Sequence, residues 1–202
     1  MISLREAKYD PVHDAQQHFR VLLDSMAHPG QVHELDTGSL TPPAGLDACG
    51  AAIALALLNS EVTFAAYGHS DAAMDYLRQN TRSSLAETAA DADFLFFRDA
   101  TKGLAALAAA QVGHPAYPET GATVVIQVER LGAEGVGDGA LTVLVEGPGV
   151  DGVARFRIQG LSTAVLAVLR EKNEEYPLGI DTIFTCGARL VSIPRSGRLR
   201  WE

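Results

Sequence analysis

Apolar positions that recur at helical spacing predict five helices along this chain. For the first, Asp10-Pro11 supplies an N-cap followed by proline at the first helical position, and Pro29-Gly30 ends the segment. Between these signals the three- and four-residue spacing predicts one buried face made of Val12, Ala15, Phe19, Leu22, Leu23 and Met26. The other predicted helices span residues 46–58, 70–79, 101–111 and 162–173.

Runs of β-branched and aromatic residues predict seven strands, at residues 61–67, 93–97, 122–129, 141–146, 154–158, 182–186 and 189–193. Helices and strands alternate in the first half of the chain, whereas strands cluster in the second half. This order predicts one α/β domain over residues 1–202, built on a mixed sheet flanked by helices. The Gly-rich segment 131–140 is expected to be a hairpin connection between strands 122–129 and 141–146, with antiparallel pairing around residues 122–158.

Two Pro/Gly corners interrupt the strand-rich half, one at 147–149 and one at 176–181. Proline fixes φ and supplies no N–H, and the neighbouring glycines permit positive φ, so each corner is expected to hold an unusual rigid backbone. Both corners end or begin strands, so we expect them to lie close together at one end of the sheet. Arg195 would then be near enough to pair with Asp181, or to bind an incoming phosphate or a partner's carboxylate.

Composition narrows the class of protein. With 202 residues and 47% hydrophobic content the chain suits a single globular domain. A net charge of −9 and the lack of a basic stripe argue against nucleic-acid binding. The longest apolar run, 51–58, is too short to span a membrane, and residues 1–8 contain no apolar core of signal-peptide length. Cys49 and Cys186 are too isolated for a disulfide framework, so a cytoplasmic location is expected.

Several catalytic signatures are missing from the sequence. No glycine-rich segment continues as a P-loop, no GxGxxG joins a strand to a helix, and no GxSxG elbow occurs. The six histidines form no HxxxH or HExxH pair, so no metal centre is expected from this chain alone.

Five residues are candidates for ligand or partner contacts. Glu119 near His114, with Asp181 on the other corner, offers groups for proton transfer, while Arg20 and Arg195 are candidates for contact with an anion. The alternative is that the carboxylates cap loops or pair with arginines and that the arginines form ordinary ion pairs. The sequence leaves both interpretations open.

The chain as a whole resembles a known family. The residues that carry the resemblance occur in one order over most of the chain: Phe-Arg at 19–20, Met-Ala-His-Pro-Gly at 26–30, Leu-Ala-Leu-Leu at 55–58 before Thr-Phe at 63–64, Ala-Asp-Phe at 92–94, Tyr-Pro-Glu-Thr-Gly-Ala-Thr at 117–123, Gly-Pro-Gly-Val at 147–150, Asn173, Tyr-Pro-Leu-Gly-Ile-Asp at 176–181 and Ile-Pro-Arg at 193–195. Together they resemble the H subunit of the bacterial carbon–phosphorus lyase system. Asn59 departs from the acidic residue expected at that position.

The resemblance implies a homodimer that joins the G, I and J subunits in a core complex. It implies a contribution to forming α-D-ribose 1-methylphosphonate 5-triphosphate from ATP and methylphosphonate, with no catalysis by this chain alone. It also implies a three-layer fold similar to that of pyridoxal-phosphate-dependent transferases, without the cofactor. The residues agree on the last point, because Lys8, Lys102 and Lys172 all stand at positions unlike that of a Schiff-base lysine in a pocket.

Two other functions remain open on the sequence. One is a free-standing enzyme or binding protein for a phosphorylated small molecule, with Arg20, His114, Glu119 and Arg195 lining its site. The other is a pyridoxal enzyme, which the lysine positions disfavour. For the dimer, the Ala-rich helix 46–58 and the apolar strands are the expected source of hydrophobic contact surface.

Overall fold

The computed structural model describes residues 6–202. The expectation about a signal peptide rests partly on residues 1–5, which lie outside this range. The helices are α1 His13–Ala27, α2 Ala48–Leu57, α3 Asp71–Thr81, α4 Leu104–Ala109 and α5 Thr163–Lys172. The strands are β1 His33–Glu34, β2 Thr63–Tyr67, β3 Ser84–Leu85, β4 Phe94–Phe97, β5 Thr123–Gln127, β6 Arg130–Gly132, β7 Leu141–Glu146, β8 Ala154–Gln159, β9 Asp181–Cys186, β10 Arg189–Ile193 and β11 Arg198–Trp201.

The main sheet is mixed and has seven strands in the order β1-β10-β9-β5-β4-β2-β3. Strands β3, β2, β4, β5 and β9 are parallel, and β10 runs antiparallel to both β9 and β1. Central strand β5 is buried on both faces, with Val124 and Ile126 on one side and Val125 on the other. This explains its continuous apolar run, since parallel strands are covered on both faces. The predicted α/β class with a mixed sheet is confirmed.

A second sheet of four antiparallel strands, in the order β11-β7-β8-β6, stands beside the first. The predicted hairpin between strands 122–129 and 141–146 is therefore wrong. Strand β5 pairs with β4 and β9, while β7 pairs with β8 and β11. The antiparallel pairing expected in this region exists, but between β7 and β8. The short strand β6, absent from the prediction, carries the chain from one sheet to the other.

The layers form two cores on either side of the main sheet. One core lies under α1, α2 and α3 and includes Leu22, Ile53 and Leu77. The other joins the opposite face of the sheet to α4, α5 and the inner face of the four-stranded sheet, including Phe156 and Leu166. The result is three layers, as expected. Among residues 6–202, no helix is both long and apolar enough to cross a bilayer.

The buried face of α1 differs from the prediction. Its buried residues are His18, Leu22 and Ser25, whereas Phe19 and Leu23 remain 46% and 54% exposed. Both polar members of the buried face form a hydrogen bond: His18 Nε2 lies 2.7 Å from the Asp36 carbonyl oxygen, and Ser25 hydrogen-bonds Ser192. Within residues 6–202, His18 Nδ1 is buried without a hydrogen-bond partner. The helix therefore buries a partly polar face, and an apolar stripe faces outward.

Helix α2 is covered within the chain itself. Residues 51–54 are fully buried and residues 55–57 are half-buried, so this helix exposes little of the hydrophobic surface expected of it for a dimer. A helix that is apolar all round is covered on most sides, as here.

Candidate functional site

The predicted pair of Arg195 and Asp181 forms at the start of β9. Strand β10 pairs antiparallel with β9, with Ile193 opposite Thr182, so the chain leaving β10 passes directly beside Asp181. Arg195 Nη2 lies 2.6 Å from Asp181 Oδ2, and Nε lies 3.2 Å from the same oxygen. The backbone N–H of Arg195 also donates to Asp181 Oδ1 at 2.8 Å. The prediction that these two residues pair is confirmed.

The same guanidinium also ties down the loop before β5. Arg195 donates through Nη1 to the Pro118 carbonyl and through Nη2 to the Gly121 carbonyl at 3.3 Å. A side chain at Gly121 would not fit, because its Cβ would lie 2.3 Å from the Gly179 carbonyl oxygen. With one carboxylate and two carbonyls as acceptors, Arg195 is held by its own chain at the amino ends of β5 and β9.

The two Pro/Gly corners are linked through the segment that contains Arg195. A Cβ on Gly147 would lie 2.9 Å from the Ser196 carbonyl oxygen, and one on Gly179 would lie 3.0 Å from Arg195 Cβ. Both corners therefore contact residues 195–196, in agreement with the expectation that they lie close together.

The other three candidates are exposed. His114 and Glu119 lie on the loop that Arg195 fastens, and His114 Nδ1 accepts a hydrogen bond from the Ala116 N–H at 3.2 Å. Arg20 lies on α1. Within residues 6–202, no hydrogen bond or ion pair connects Arg20 to the corner. The five candidates therefore do not converge on one pocket.

The end of the main sheet opposite Arg195, where the parallel strands have their carboxyl ends, has the geometry of a ligand site. The crossover β2-α3-β3 proceeds in one direction along the sheet, and β4-α4-β5 proceeds in the other. Helices α3 and α4 pack on opposite faces, in the two separate cores. In open parallel sheets, ligands bind outside the carboxyl ends of the strands where the strand order reverses. That point lies here between β2 and β4.

Five polar side chains gather near this point, and we call them the switch-point cluster. Its members are Asp47 before α2, His69 after β2, Arg98 after β4, Gln127 at the end of β5 and Thr185 near the end of β9. All except Arg98 line one small cavity, and Arg98 lies close enough to His69 to influence its pKa. The Arg98 N–H donates to the Tyr67 carbonyl at 3.0 Å, which extends the β2–β4 pairing past the strand ends. Sequence reasoning missed the cluster, because its members are 20 or more residues apart.

Arg98 stands at the exposed rim of the cluster. Its guanidinium lies against Gly45, where a Cβ would be 3.1 Å from Nη1. Gly45 has φ +95°, so both its conformation and the closeness of Arg98 favour glycine. No carboxylate pairs with Arg98 within residues 6–202. Its charge is therefore available to an external anion.

The buried members of the cluster enclose unused polar atoms. Asp47 Oδ1 caps α2 by accepting from the Gly50 N–H at 2.7 Å, and the Asp47 N–H donates to Gln127 Oε1 at 3.2 Å. Within the described part of the chain, three atoms are buried without a partner of hydrogen-bonding geometry: Asp47 Oδ2, His69 Nδ1 and Thr185 Oγ1. They surround a cavity of about 10 Å³. That is about the space of one water molecule.

Burial sets the protonation of this cluster. Burial, followed by the nearby Arg98 charge, lowers the pKa of His69 to about 4, against the opposing effect of its hydrogen bond to Gly45. Burial raises the pKa of Asp47, opposed by the Gly50 hydrogen bond and the nearby Thr185 hydroxyl. At neutral pH the imidazole of His69 is thus neutral, and the exposed guanidinium of Arg98 at the rim is the group suited to binding an anion.

The lysines do not supply a Schiff-base site in this cavity. Lys102 is exposed and pairs with Asp99 at 3.1 Å, and Lys172 Nζ donates to the Ala110 carbonyl at 2.8 Å. Lys8 is exposed before α1. The residues here therefore do not fit covalent attachment of pyridoxal phosphate.

One group of side chains has the composition of a metal site. Asp24 on α1 and His28 at its C-cap approach His33 on β1, with one potential ligand atom from each residue within 4.8 Å of the others. This group was not predicted from the sequence, because the two histidines are five residues apart and belong to different elements.

Comparison with known proteins gives a consistent result over nearly the whole chain. The model of a family described as bacterial phosphonate metabolism protein (PhnH) matches residues 7–200. The α-D-ribose 1-methylphosphonate 5-triphosphate synthase subunit PhnH of Rhizobium meliloti (strain 1021) is 29% identical over 197 residues, covering 96% of this chain and 94% of that protein. A putative C-P lyase subunit protein, HtxG of Stutzerimonas stutzeri, is 28% identical over 181 residues, covering 90% and 83%.

Proposed function

Because the chain belongs to the PhnH family of bacterial phosphonate metabolism proteins, we propose that it is a subunit of the assembly that forms α-D-ribose 1-methylphosphonate 5-triphosphate. The observation that carries this proposal is the match to a synthase subunit over 96% of this chain and 94% of the relative. The second relative, a putative C-P lyase subunit, supports the same pathway. The chain would contribute to the reaction of ATP with methylphosphonate without catalysing it alone.

The proposed partners are a second copy of the chain and the G, I and J subunits of the core complex. Support for self-association comes from α1, where Phe19 and Leu23 lie one turn apart and Val12 lies two turns before Phe19. These side chains are 46–68% exposed and share one face of the helix. Large apolar side chains grouped on a surface mark contact sites, and homodimer interfaces are more apolar than ordinary surface. This stripe replaces helix α2 as the proposed dimer surface.

We place the anion contact of this subunit at the switch-point cluster. Phosphonate and triphosphate groups are both anionic, and arginine recognises such oxygens with paired donors. Arg98 has no carboxylate partner within residues 6–202 and stands at the rim where the rule for parallel sheets predicts a ligand. The imidazole of His69 behind Arg98 is neutral at neutral pH, so Arg98 supplies the positive charge of this contact.

The residues Arg20, His114 and Glu119 are better suited to partner contacts, since all three side chains are exposed. Arg195 and Asp181 are engaged with one another, and we propose that they shape the surface that a partner meets. A cytoplasmic location completes the proposal. The free thiols of Cys49 and Cys186 support it, because a reducing compartment keeps such groups unpaired.

Complementation tests the proposed function directly. A bacterial strain that lacks its own H-subunit gene is supplied with this chain and grown with methylphosphonate as the only phosphorus source. Growth, together with co-purification of the G, I and J subunits, is the expected result. Absence of both with soluble, folded chain would overturn the subunit role. Turnover of ATP and methylphosphonate by the isolated chain would instead favour a free-standing enzyme.

A further inference from the structure

Asp24, His28 and His33 are brought together by the turn that follows α1. Asp24 and His28 are one helical turn apart, and the chain then reverses at Gly30, whose φ is +80°. A side chain at this glycine would not fit, because its Cβ would lie 2.9 Å from the Cβ of Ala154. The Gly30 N–H donates to the Ser192 carbonyl at 3.2 Å. The reversal is thus fixed by the fold, and it returns β1 to the side of Asp24.

The donor atoms are spaced for one small cation. Asp24 Oδ2 lies 3.0 Å from His33 Nε2, and Asp24 Oδ1 lies 3.1 Å from His28 Nδ1. Zinc bonds of about 2.0–2.2 Å in a tetrahedral site put ligand atoms about 3.3 Å from each other. The two short distances end on different oxygens of the Asp24 carboxylate, and one donor atom from each of the three residues lies within 4.8 Å of the others. Small side-chain rotations would complete the geometry.

The hydrogen bonding of His33 is the second observation. His33 Nδ1 lies 3.2 Å from the Gln31 carbonyl oxygen, an acceptor that requires the proton to be on Nδ1. In the neutral ring, Nε2 then directs a lone pair at a carboxylate oxygen 3.0 Å away. Two acceptors facing each other need a proton or a cation between them. A backbone carbonyl that fixes the tautomer in this way is a usual partner of metal-binding histidines.

His28 requires one exchange of partner. Its Nδ1 also lies 3.0 Å from the Asp24 carbonyl oxygen, and coordination would replace that hydrogen bond. The side chains of Asp24 and His28 are 57% and 49% exposed, so the ion would have access from solvent. Elsewhere His13 and Asp10 form a simple histidine–carboxylate pair at 3.1 Å without a third donor.

We propose that Asp24, His28 and His33 bind one divalent transition-metal ion, with Zn²⁺ the best match. One carboxylate and two imidazoles suit Zn²⁺, and three protein ligands leave a position open to water. Bound there, the ion links the end of α1 to the edge strand β1. The proposal uses only residues of this chain and does not depend on its role in phosphonate metabolism.

The test is titration of the full, tag-free and chelator-treated chain with ZnCl₂ by calorimetry, and with CoCl₂ by visible absorption. We expect one ion per chain, tetrahedral Co²⁺ bands, and a rise in unfolding temperature with Zn²⁺. His28→Ala and His33→Gln should each weaken Zn²⁺ binding by at least about tenfold, comparable to the loss of a supporting group at a metal site. His13→Ala is the matched control and should bind Zn²⁺ as the unchanged chain does.

Circular dichroism of each variant without metal shows whether the variant is folded, and so separates loss of binding from loss of folding. If the His33 variant unfolds, Zn²⁺ binding by His28→Ala still tests the site, because His28 is exposed. Absence of stoichiometric binding would overturn the proposal. Equal losses in the His13 and His28 variants, or full binding by folded His33→Gln, would overturn it as well.

Discussion

Replacing Arg195 by alanine tests whether this residue acts through stability or through binding. In the structure its guanidinium contacts Asp181, Pro118 and Gly121. The variant loses these contacts and keeps only the backbone N–H to Asp181 Oδ1. Asp181 would then be left with an uncompensated negative charge, and the loop that includes Pro118 and Gly121 would lose its connection to β9.

The expected loss in the free energy of unfolding follows from the burial of the Arg195–Asp181 pair. Removing one partner of a fully buried ion pair costs about 3–5 kcal/mol. The side chains of Arg195 and Asp181 remain 17% and 22% exposed, so hydration of the unpaired carboxylate offsets part of that cost. We therefore expect Arg195→Ala to lower the free energy of unfolding by about 2–3 kcal/mol. For a chain of this size the unfolding temperature should fall by roughly 5–10 °C.

Urea unfolding at neutral pH measures this loss, with Arg198→Ala as the control. Arg198 is exposed and has no ion-pair partner within residues 6–202, so its replacement should change stability by less than about 0.5 kcal/mol. The double variant Arg195→Ala/Asp181→Asn should lose less than the sum of the single variants, because they share one interaction. A loss below about 1 kcal/mol in Arg195→Ala would refute the structural reasoning. If that stable variant also failed to join the complex, the anion or partner contact would be favoured instead.

Three further predictions concern the switch-point cluster and α1. Since burial lowers the pKa of His69 from 6.5 to about 4, protonation favours the unfolded chain, and stability should be lost as pH falls from about 6.5 towards 4. Comparing the chain with His69→Gln should show about 1–2 kcal/mol of this loss between about pH 7.5 and 5, and parallel curves would contradict the assignment. Arg98→Ala should fold normally yet fail to support growth on methylphosphonate. The control is Arg155→Ala, since Arg155 is also exposed and has no ion pair in the described chain, and this variant should support growth. Equal growth of the two variants would contradict the proposed anion contact. Leu23→Glu should sediment as a monomer of 21.4 kDa at low micromolar concentration, while the unchanged chain should give twice that mass. Tyr176→Glu, at an exposed position that is not part of the α1 stripe, should behave as the unchanged chain. A dimeric Leu23→Glu would exclude this face of the helix.

Local chemistry in the sequence was enough to locate most elements. The predicted strand 189–193 coincides with β10, and strand 141–146 coincides with β7. Ser70, the first residue of the helix predicted over 70–79, caps α3, with its side chain accepting from the Ala73 N–H at 3.3 Å. Such features depend on residues only a few positions apart, so the sequence determines them directly.

Strand pairing was decided by the tertiary structure. The segment 122–129 has the composition of a buried strand, but composition does not state which neighbours it pairs with. Partners β4 and β9 come from distant segments, and the Gly-rich segment that suggested a hairpin instead leads from β6 to β7 in the second sheet. The missed strand β11 alternates exposed arginines with buried Leu199, a short pattern that becomes a strand only beside β7.

The candidate sites were likewise predicted from the sequence only in part. The sequence predicted that Arg195 lies close to Asp181, with pairing as one of three alternatives, because Arg195 follows the apolar run 189–193 and Asp181 precedes the run 182–186. It did not identify the switch-point cluster, whose members come from the ends of β2, β4, β5 and β9 and from the cap of α2. Nor did it identify the group of Asp24, His28 and His33, which needs the reversal at Gly30. Side chains distant in sequence become neighbours only when the burial of many apolar groups fixes the crossovers and turns, and that is a property of the whole fold.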